Sequence, residues 1–558
     1  MDMYEELCKS PCKGDCTECV PLLSVQEVLE WRPDERPWPL RPLSPRTACS
    51  SVGTSHLCHQ TQWRPTKLLD RRTVPRTLVC HDMKGGYLDD RFVYGSDNHA
   101  DYRFFHWAGV DIFVYFSHKF VTIAPPVWVN AAHLHGVLIL GTVITEWDSG
   151  KKLLEEVLHG SKEKRSQFVH QLVSICKHYG MDGWLINVEN KVEPKDVVVL
   201  KELLEELTAA MHREISHSQV IWYDSVTRDG SLKWQNELNA ENKLFFDVCD
   251  GIFLNYVWKE DGLARSIRQA GVRALDVYVG VDVFGRNCYG GGGFNTSAAV
   301  EKARAQGLSV ALFAQGWVHE CWALENFTPL EYTFWRKLWP LLHVHGPSGL
   351  PFDTSFCQGY GERKYKRGKV ESEQPWHNLS LQMPQPCLPI CVEDASQLPK
   401  GDAVSKEKVT TKFSGCVQHW PKDAYHGGGC LRLQRPTNIE VFGQRIYHKL
   451  FFCSFHVGEQ DALCISYAIK SSQEGKEAPK DLALGLLFLD TAAGGYRDEY
   501  FGVETKGMKE SLDEKTGWKL RNYVVPARGR RYKITEICVA LDPNATDVLL
   551  GWLSICLY

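Results

Sequence analysis

The stretch 182–190 reads Asp182-Gly183-Trp184-Leu185-Ile186-Asn187-Val188-Glu189-Asn190. An apolar run is opened by a glycine and closed by an amide and a carboxylate two residues apart. A run this short, rich in β-branched and aromatic residues, predicts a strand buried on both faces, as in a parallel sheet. Successive side chains of a strand point to opposite faces, so Asn187 and Glu189 share one face, with Cα atoms roughly 6–7 Å apart at about 3.3 Å per residue.

Similar runs recur on both sides of this one. The pattern predicts strands over 77–83, 110–116, 136–144, 183–189, 219–225, 251–257, 276–282 and 309–315. Helical patterns fill several of the gaps. Phe168, Val169, Leu172, Val173 and Cys176 recur at helical spacing before Gly180, and Val197, Leu200, Leu203, Leu204, Leu207 and Met211 do the same. Shorter helices fit 263–270, 296–305 and 329–338; the gaps between the first three strands are less clearly helical. Eight such strands alternating with helices predict the α/β class in its (β/α)8 barrel form, a fold typically of about 250 residues.

A barrel of this kind carries its site at the C-terminal ends of its strands. Polar and aromatic residues gather at those ends: His81 and Asp82, Tyr115 and His118, Glu146 and Trp147, Asn187 and Glu189, Tyr223 and Asp224, Asn255, Tyr256 and Trp258, Asp282 and Arg286, Gln315 and Trp317.

Outside the barrel the chain changes character. Residues 1–70 are expected to be a poorly structured lead, with Pro33, Pro37, Pro39, Pro42 and Pro45 favouring extended backbone. The barrel is placed at 71–345, and 346–385 is expected to be a linker, its polar, basic stretch 362–373 exposed. From 386 to 558 short strands with Gly, Pro and Asn turns predict one antiparallel β-sandwich, with strands over 451–456, 463–469, 482–489, 522–525, 534–541 and 548–555. The chain ends in an apolar segment; a final strand and a module cut short both fit that ending.

Composition excludes some classes. The net charge of −4 gives no basic field for nucleic acid. No run of about 18 apolar residues is present, so no membrane span is expected. The first 20 residues lack the hydrophobic core of a secretory signal, so the 20 cysteines are expected to be reduced thiols of a cytosolic protein. Cys8, Cys12, Cys16 and Cys19 are densely spaced, but their intervals do not match paired zinc ligands. The glycines at 290–293 lack the Lys-Ser/Thr of a phosphate loop. No metal or cofactor is expected.

The chemistry of 187–189 then narrows the class. Glu189 could be a structural carboxylate at a strand end; it could also protonate a leaving oxygen and later activate water. Surrounding aromatics would raise its pKa and keep it protonated near neutrality. No second carboxylate stands beside it in this segment, whereas most glycosidases use two, and the exceptions include enzymes that use the substrate's own acetamide as nucleophile. The oxygen of Asn187 can accept the N–H of a 2-acetamido group and aim its carbonyl at the anomeric carbon. Tyr223 could support that intermediate or simply pack. Trp147, Trp234, Trp258 and Trp317 are candidate sugar platforms, though any one Trp serves a core more often than a site. His118, Asn255 and Asp282 are candidate hydroxyl contacts, and Asp282 could instead pair with Arg286.

Several stretches together resemble glycoside hydrolase family 85: Leu78 to Phe92 (LVCHDMKGGYLDDRF), Phe113 to His118 (FVYFSH), Asp182 to Asn190, Trp222 to Val226 (WYDSV), Tyr278 to Phe284 (YVGVDVF) and Ser309 to Ala314 (SVALFA). The resemblance runs over about 76–345 and weakens towards about 435. It implies a barrel with β-sandwich modules behind it, and cleavage between the two GlcNAc units of the N-glycan core, on glycoproteins, glycopeptides or free oligosaccharides. It implies retention through an oxazoline, with Glu189 as acid/base, Asn187 orienting the acetamide and Tyr223 in support. The partners expected are high-mannose N-glycans and free oligosaccharides, met by a monomer in the cytosol. The cysteine cluster and the ending at Tyr558 depart from the family pattern. Two other readings stand beside it. A chitinase-like enzyme would carry Asp where Asn187 stands, and a glycan-binding protein could use the same barrel without turnover.

Overall fold

The computed structural model describes residues 17–33, 38–48, 50–51, 66, 68–387, 417–434, 446–471, 482–541 and 547–558. Eight parallel strands form a closed barrel. They are β1 (Thr77–Asp82), β2 (Ile112–Phe116), β3 (Leu138–Glu146), β4 (Gly183–Glu189), β5 (Gln219–Tyr223), β6 (Gly251–Leu254), β7 (Val277–Asp282) and β8 (Ser309–Phe313). Each strand pairs with the next, and β8 closes on β1 with Ala311 opposite Leu78. All eight lie where the apolar runs predict them.

Alternation along the strands makes two cores. Leu78, Val114, Leu140, Leu185, Ile221 and Ala311 belong to a cluster that fills the barrel. The opposite faces pack against the surrounding helices in a much larger cluster. The helices are α1 (Pro126–Leu134), α2 (Trp147–Leu158), α3 (Lys162–Tyr179), α4 (Val197–Glu214), α5 (Glu260–Ala270), α6 (Thr296–Ala305) and α7 (Phe327–Leu338). Their ends follow from side chains: Ser161 accepts the Lys164 N–H at the start of α3, and Gly180, at φ 69°, ends it in the left-handed region.

The unclear helical pattern between the first strands has a structural counterpart. Residues 83–111 form no α-helix and contain two 3-10 turns. Later chain packs against this connection. The Trp107 indole N–H donates to Gln382 Oε1 at 2.9 Å, and Gln382 Nε2 donates to the Phe104 carbonyl at 2.8 Å. Arg103 Nε donates to Gln358 Oε1 at 3.0 Å.

The stretch 346–385, expected as a linker, is therefore a packed part of the fold. Phe356, Gln358 and Gln382 are fully buried, and the strand Phe352–Thr354 pairs with the last strand of the chain. Its glutamines satisfy loop backbone that no helix or ladder covers, which a polar composition alone does not reveal. The hairpin of Lys364–Lys366 and Lys369–Ser372 is the exposed part.

The described parts of 1–70 also pack on the barrel. The helix Val25–Glu30 buries Val25 and Val28, and Gln171 of α3 donates to the Leu29 carbonyl at 2.8 Å. Trp38 is buried against His178 and Tyr179, and the Arg41 N–H donates to Asn130 of α1 at 2.7 Å. Extended, proline-rich backbone has few N–H groups to satisfy, so it can lie flat across helices. Cys19 is buried with its thiol 3.8 Å from the Ile123 carbonyl; Cys8, Cys12 and Cys16 lie outside the described residues.

Beyond residue 416 two antiparallel sheets face each other. One contains, in spatial order, Val417–Trp420, Cys430–Gln434, Asp547–Leu557, Ala462–Ser471, Lys519–Pro526 and Lys509–Leu512, with Phe352–Thr354 joined to Asp547–Leu557. The other contains Ile446–Val457, Tyr532–Leu541, Leu482–Asp490 and Tyr496–Phe501. The Tyr467 hydroxyl donates across the gap to the Phe501 carbonyl at 2.7 Å, and the Phe352 ring meets Phe451 at 5.1 Å. The final apolar segment is an interior strand of the larger sheet. No helix among the described residues is long and apolar enough to cross a membrane.

Candidate functional site

The residues that continue the inner face of each strand meet at the C-terminal mouth of the barrel. In β4 Leu185 belongs to the barrel core, so Asn187 and Glu189 are the next two inward positions. By the same parity β1 brings Asp82, β3 brings Glu146, β5 ends in Tyr223 and β7 in Asp282. His118 follows Phe116 of β2, and Asn255 follows Phe253 of β6. Glu146 and Glu189 are register partners on adjacent parallel strands.

Asn187 is 4% exposed. Its Nδ2 donates to Glu189 Oε1 at 3.2 Å, and its Oδ1 is buried with no hydrogen-bond partner. An acceptor left unpaired in a buried setting costs free energy unless a ligand completes it. Glu189 is half-buried at the rim. Burial raises its pKa above the ordinary glutamate value; the Asn187 hydrogen bond and His118 oppose the rise, and the Glu146 charge adds to it.

Tyr223 is buried, and its hydroxyl donates to Asn255 Oδ1 at 2.9 Å. Burial holds its pKa well up, with the Glu189 charge acting in the same direction. Asn255 Nδ2 donates in turn to Asn236 Oδ1 at 2.8 Å. Asp224, fully buried behind β5, organises the loop that carries Asn236 and Trp234. It accepts the Asn236 N–H at 2.7 Å, the Gln235 N–H at 3.2 Å and Asn242 Nδ2 at 2.9 Å. Gly280 makes room beside this group: a Cβ there would stand 2.1 Å from the Leu254 carbonyl and 3.0 Å from the Tyr256 ring.

The opposite rim is polar. His118 Nδ1 lies 2.8 Å from Glu146 Oε1, and His118 Nε2 lies 3.8 Å from Asp82 Oδ2. Trp147 begins α2 at φ 54°, is 68% exposed and stacks on the His118 ring at 6.0 Å. A tryptophan with positive φ is rare, and such strain persists where the surroundings hold it. Asp282, 1% exposed, pairs with Arg286 at 2.7 Å and accepts the Phe284 N–H at 3.0 Å.

The four tryptophans singled out in the sequence part company. Trp147 and Trp234 are exposed, Trp234 by 38%. Trp258 is buried, stacked on Tyr289 at 5.3 Å, with its N–H on the Gly280 carbonyl at 2.8 Å. Trp317 packs against Phe294 and Trp322 at 5.1 and 6.1 Å. Gln315 is also turned away, its Nε2 2.9 Å from His81 Nδ1, because Ala314 at φ 57° breaks the alternation after β8. Glu146 and Asp82 stand at strand ends in the sequence, yet the sequence reasoning assigned neither a role. Extending the predicted third strand by two residues would have put Glu146 on the inner face. Among the described residues no group of three or more His, Cys, Asp or Glu side chains is arranged to hold a metal ion.

The model of glycosyl hydrolase family 85 matches residues 87–364. The human cytosolic endo-beta-N-acetylglucosaminidase is 46% identical over 476 residues, which are 85% of this chain and 58% of that protein. The mouse protein of the same name is 44% identical over 381 residues, 67% of this chain and 49% of its own length. The chain thus spans about half the length of the curated relatives it matches. The glycoside hydrolase domain of Endo-D from Streptococcus pneumoniae shares the fold, with a TM-score of 0.71 at 19% identity over 97% of this chain and 83% of that domain. Motifs, barrel and relatives agree, and the chain belongs to glycosyl hydrolase family 85.

Proposed function

We propose that this chain is an endoglycosidase that hydrolyses the β-1,4 bond between the two GlcNAc residues of the N-glycan core, with retention and through an oxazoline. The observation that carries the reading is the buried, unpartnered Oδ1 of Asn187 beside the Glu189 carboxyl. A 2-acetamido N–H supplies the missing donor. Once held, the acetamide carbonyl oxygen attacks the anomeric carbon as Glu189 protonates the departing glycosidic oxygen. Glu189 then takes a proton from water as water opens the oxazoline. The raised pKa of Glu189 suits the first of these steps, and positioned proton transfer is worth about 10²–10⁴ in rate.

In this reading Tyr223 braces the acetamide, Trp147 and Trp234 offer exposed faces to sugar rings, His118 and Asn255 face the hydroxyls, and Asp282, buried, holds Arg286 at the mouth. Trp258 and Trp317 shape the wall from behind. Substrates are high-mannose N-glycans on glycoproteins and glycopeptides, and free oligosaccharides, met by a monomer in the cytosol, the compartment in the relatives' names. Glycan binding without turnover is the alternative.

The test compares two donors. Asn187→Ala should lose most activity on a natural high-mannose glycopeptide, yet keep much of it on a preformed oxazoline donor. Equal loss on both would contradict the acetamide role.

A further inference from the structure

Beside Glu189 stands a group that the acetamide scheme does not use. Glu146 ends β3 as the register partner of Glu189, so two carboxylates occupy neighbouring inward positions. His118 lies across Glu146, with Nδ1 at 2.8 Å from its carboxylate and Nε2 at 3.8 Å from Asp82. Its ring is about half-exposed, and Trp147 stacks on one face. A carboxylate next to an acid disfavours ionisation of that acid, and a cation nearby favours it. Glu146 and His118 therefore push Glu189 in opposite directions while bonded to each other.

We infer that His118 and Glu146 form a positioning pair that sets the pH range over which Glu189 stays protonated. This rests on Glu189 being the acid. The pair touches the acid's field rather than the reacting atoms. Its hydrogen bond to Glu146 raises the His118 pKa, and burial opposes the rise, so the imidazolium that offsets the Glu146 charge persists to higher pH than in an unpaired histidine. The other charged or titratable groups around the mouth are Asp82 on β1, Tyr223 on β5, Tyr256 after β6, Asp282 and Arg286 at β7, and Glu320 after β8 with Lys84 beside it. Arg286 is committed to Asp282, and Glu320 accepts the Lys84 N–H at 3.1 Å. Asp82, 3.8 Å from His118 Nε2 and pushed up to about 6 by burial, is a second carboxyl facing that ring.

The test is the alkaline limb of the kcat/KM–pH profile on a high-mannose glycopeptide. This limb reports ionisation of the acid in the free enzyme. Glu146→Gln should move it to lower pH and His118→Gln to higher pH, each by about half a unit or more. Glu146→Asp should restore much of the unmutated position. A purely structural role would lower the rate without opposite movement of the limb. Limbs that stay in place, or move the same way, overturn the inference. Where turnover is too low, infrared difference spectra against Glu189→Gln read the same titration. Full activity of Glu189→Gln would instead sink the assignment of the acid itself.

Discussion

In the proposed mechanism Asn187 and Glu189 divide one task. The amide is buried and its oxygen lacks a partner; the carboxyl sits at the rim with its pKa raised chiefly by burial. Glu189→Gln should remove roughly 10²–10⁴ of the rate while leaving glycan binding in place, because the amide keeps the shape and loses the transferable proton. Calorimetric titration with the glycopeptide, beside turnover, checks both halves. Tyr223→Phe removes the donor to Asn255 without changing the ring. It should lower kcat more than it raises KM, and a change confined to KM would place the phenol in ground-state binding only. That 187 and 189 share the inner face at the end of one strand was legible in the sequence, because alternation along a strand has a period of two. The contrast among the tryptophans was not legible, since exposure depends on how the loops fold. Trp147 owes its exposure to a positive φ and Trp258 its burial to Tyr289.

Element by element, β4 is held in register from below. Asp182, immediately before it, accepts the Ile139 N–H at 2.8 Å and lies between His133 at 2.9 Å and His217 at 2.8 Å. Burial acts to raise the Asp182 pKa, but the hydrogen bonds from both imidazoles outweigh it and hold it low. Burial opposes the His133 charge, yet Asp182 raises its pKa overall, and the Asp182 hydrogen bond raises His217. For a histidine raised in the folded state, the stabilisation is complete below its ordinary value of 6.5 and is lost as pH rises through the folded value. For Asp182, lowered in the folded state, it is complete above the ordinary carboxyl value and lost as pH falls through the folded one. Asp182→Asn should therefore cost roughly 3 kcal/mol near pH 6 and less near pH 9. Thermal melts at both values check this; a gap that widens with pH would contradict it. The eight strand positions were readable from apolar runs. The absent helix between β1 and β2 was signalled only by a weak pattern, because long-range glutamine contacts replace it.

Across the whole molecule, barrel and sandwich are joined by chain that composition presented as a linker. Phe352–Thr354 pairs with Asp547–Leu557, which also pairs with Cys430–Gln434 and Ala462–Ser471. An interior strand with partners on both sides cannot be lost without exposing two ladders. Leu550 and Leu553 are fully buried in it. Leu553→Ala should cost about 2–5 kcal/mol. Limited proteolysis should then cut within the sandwich first. Equal stability of the variant and the unmutated chain would show that the sheet does not depend on this strand. All six strands expected in this region are present. Those at Val417–Trp420, Cys430–Gln434, Tyr496–Phe501 and Lys509–Leu512 went unpredicted. The last two are largely exposed, so they carry little apolar alternation to read.

The central claim is that the mouth of this barrel cuts the N-glycan core and that Glu189 supplies the proton. Mass spectrometry of a high-mannose glycopeptide, incubated with the purified chain and separately with Glu189→Gln, tests it most directly. The account predicts a peptide carrying a single GlcNAc from the unmutated chain alone. An intact glycopeptide in both incubations, with binding retained, would contradict it and leave glycan binding as the better description.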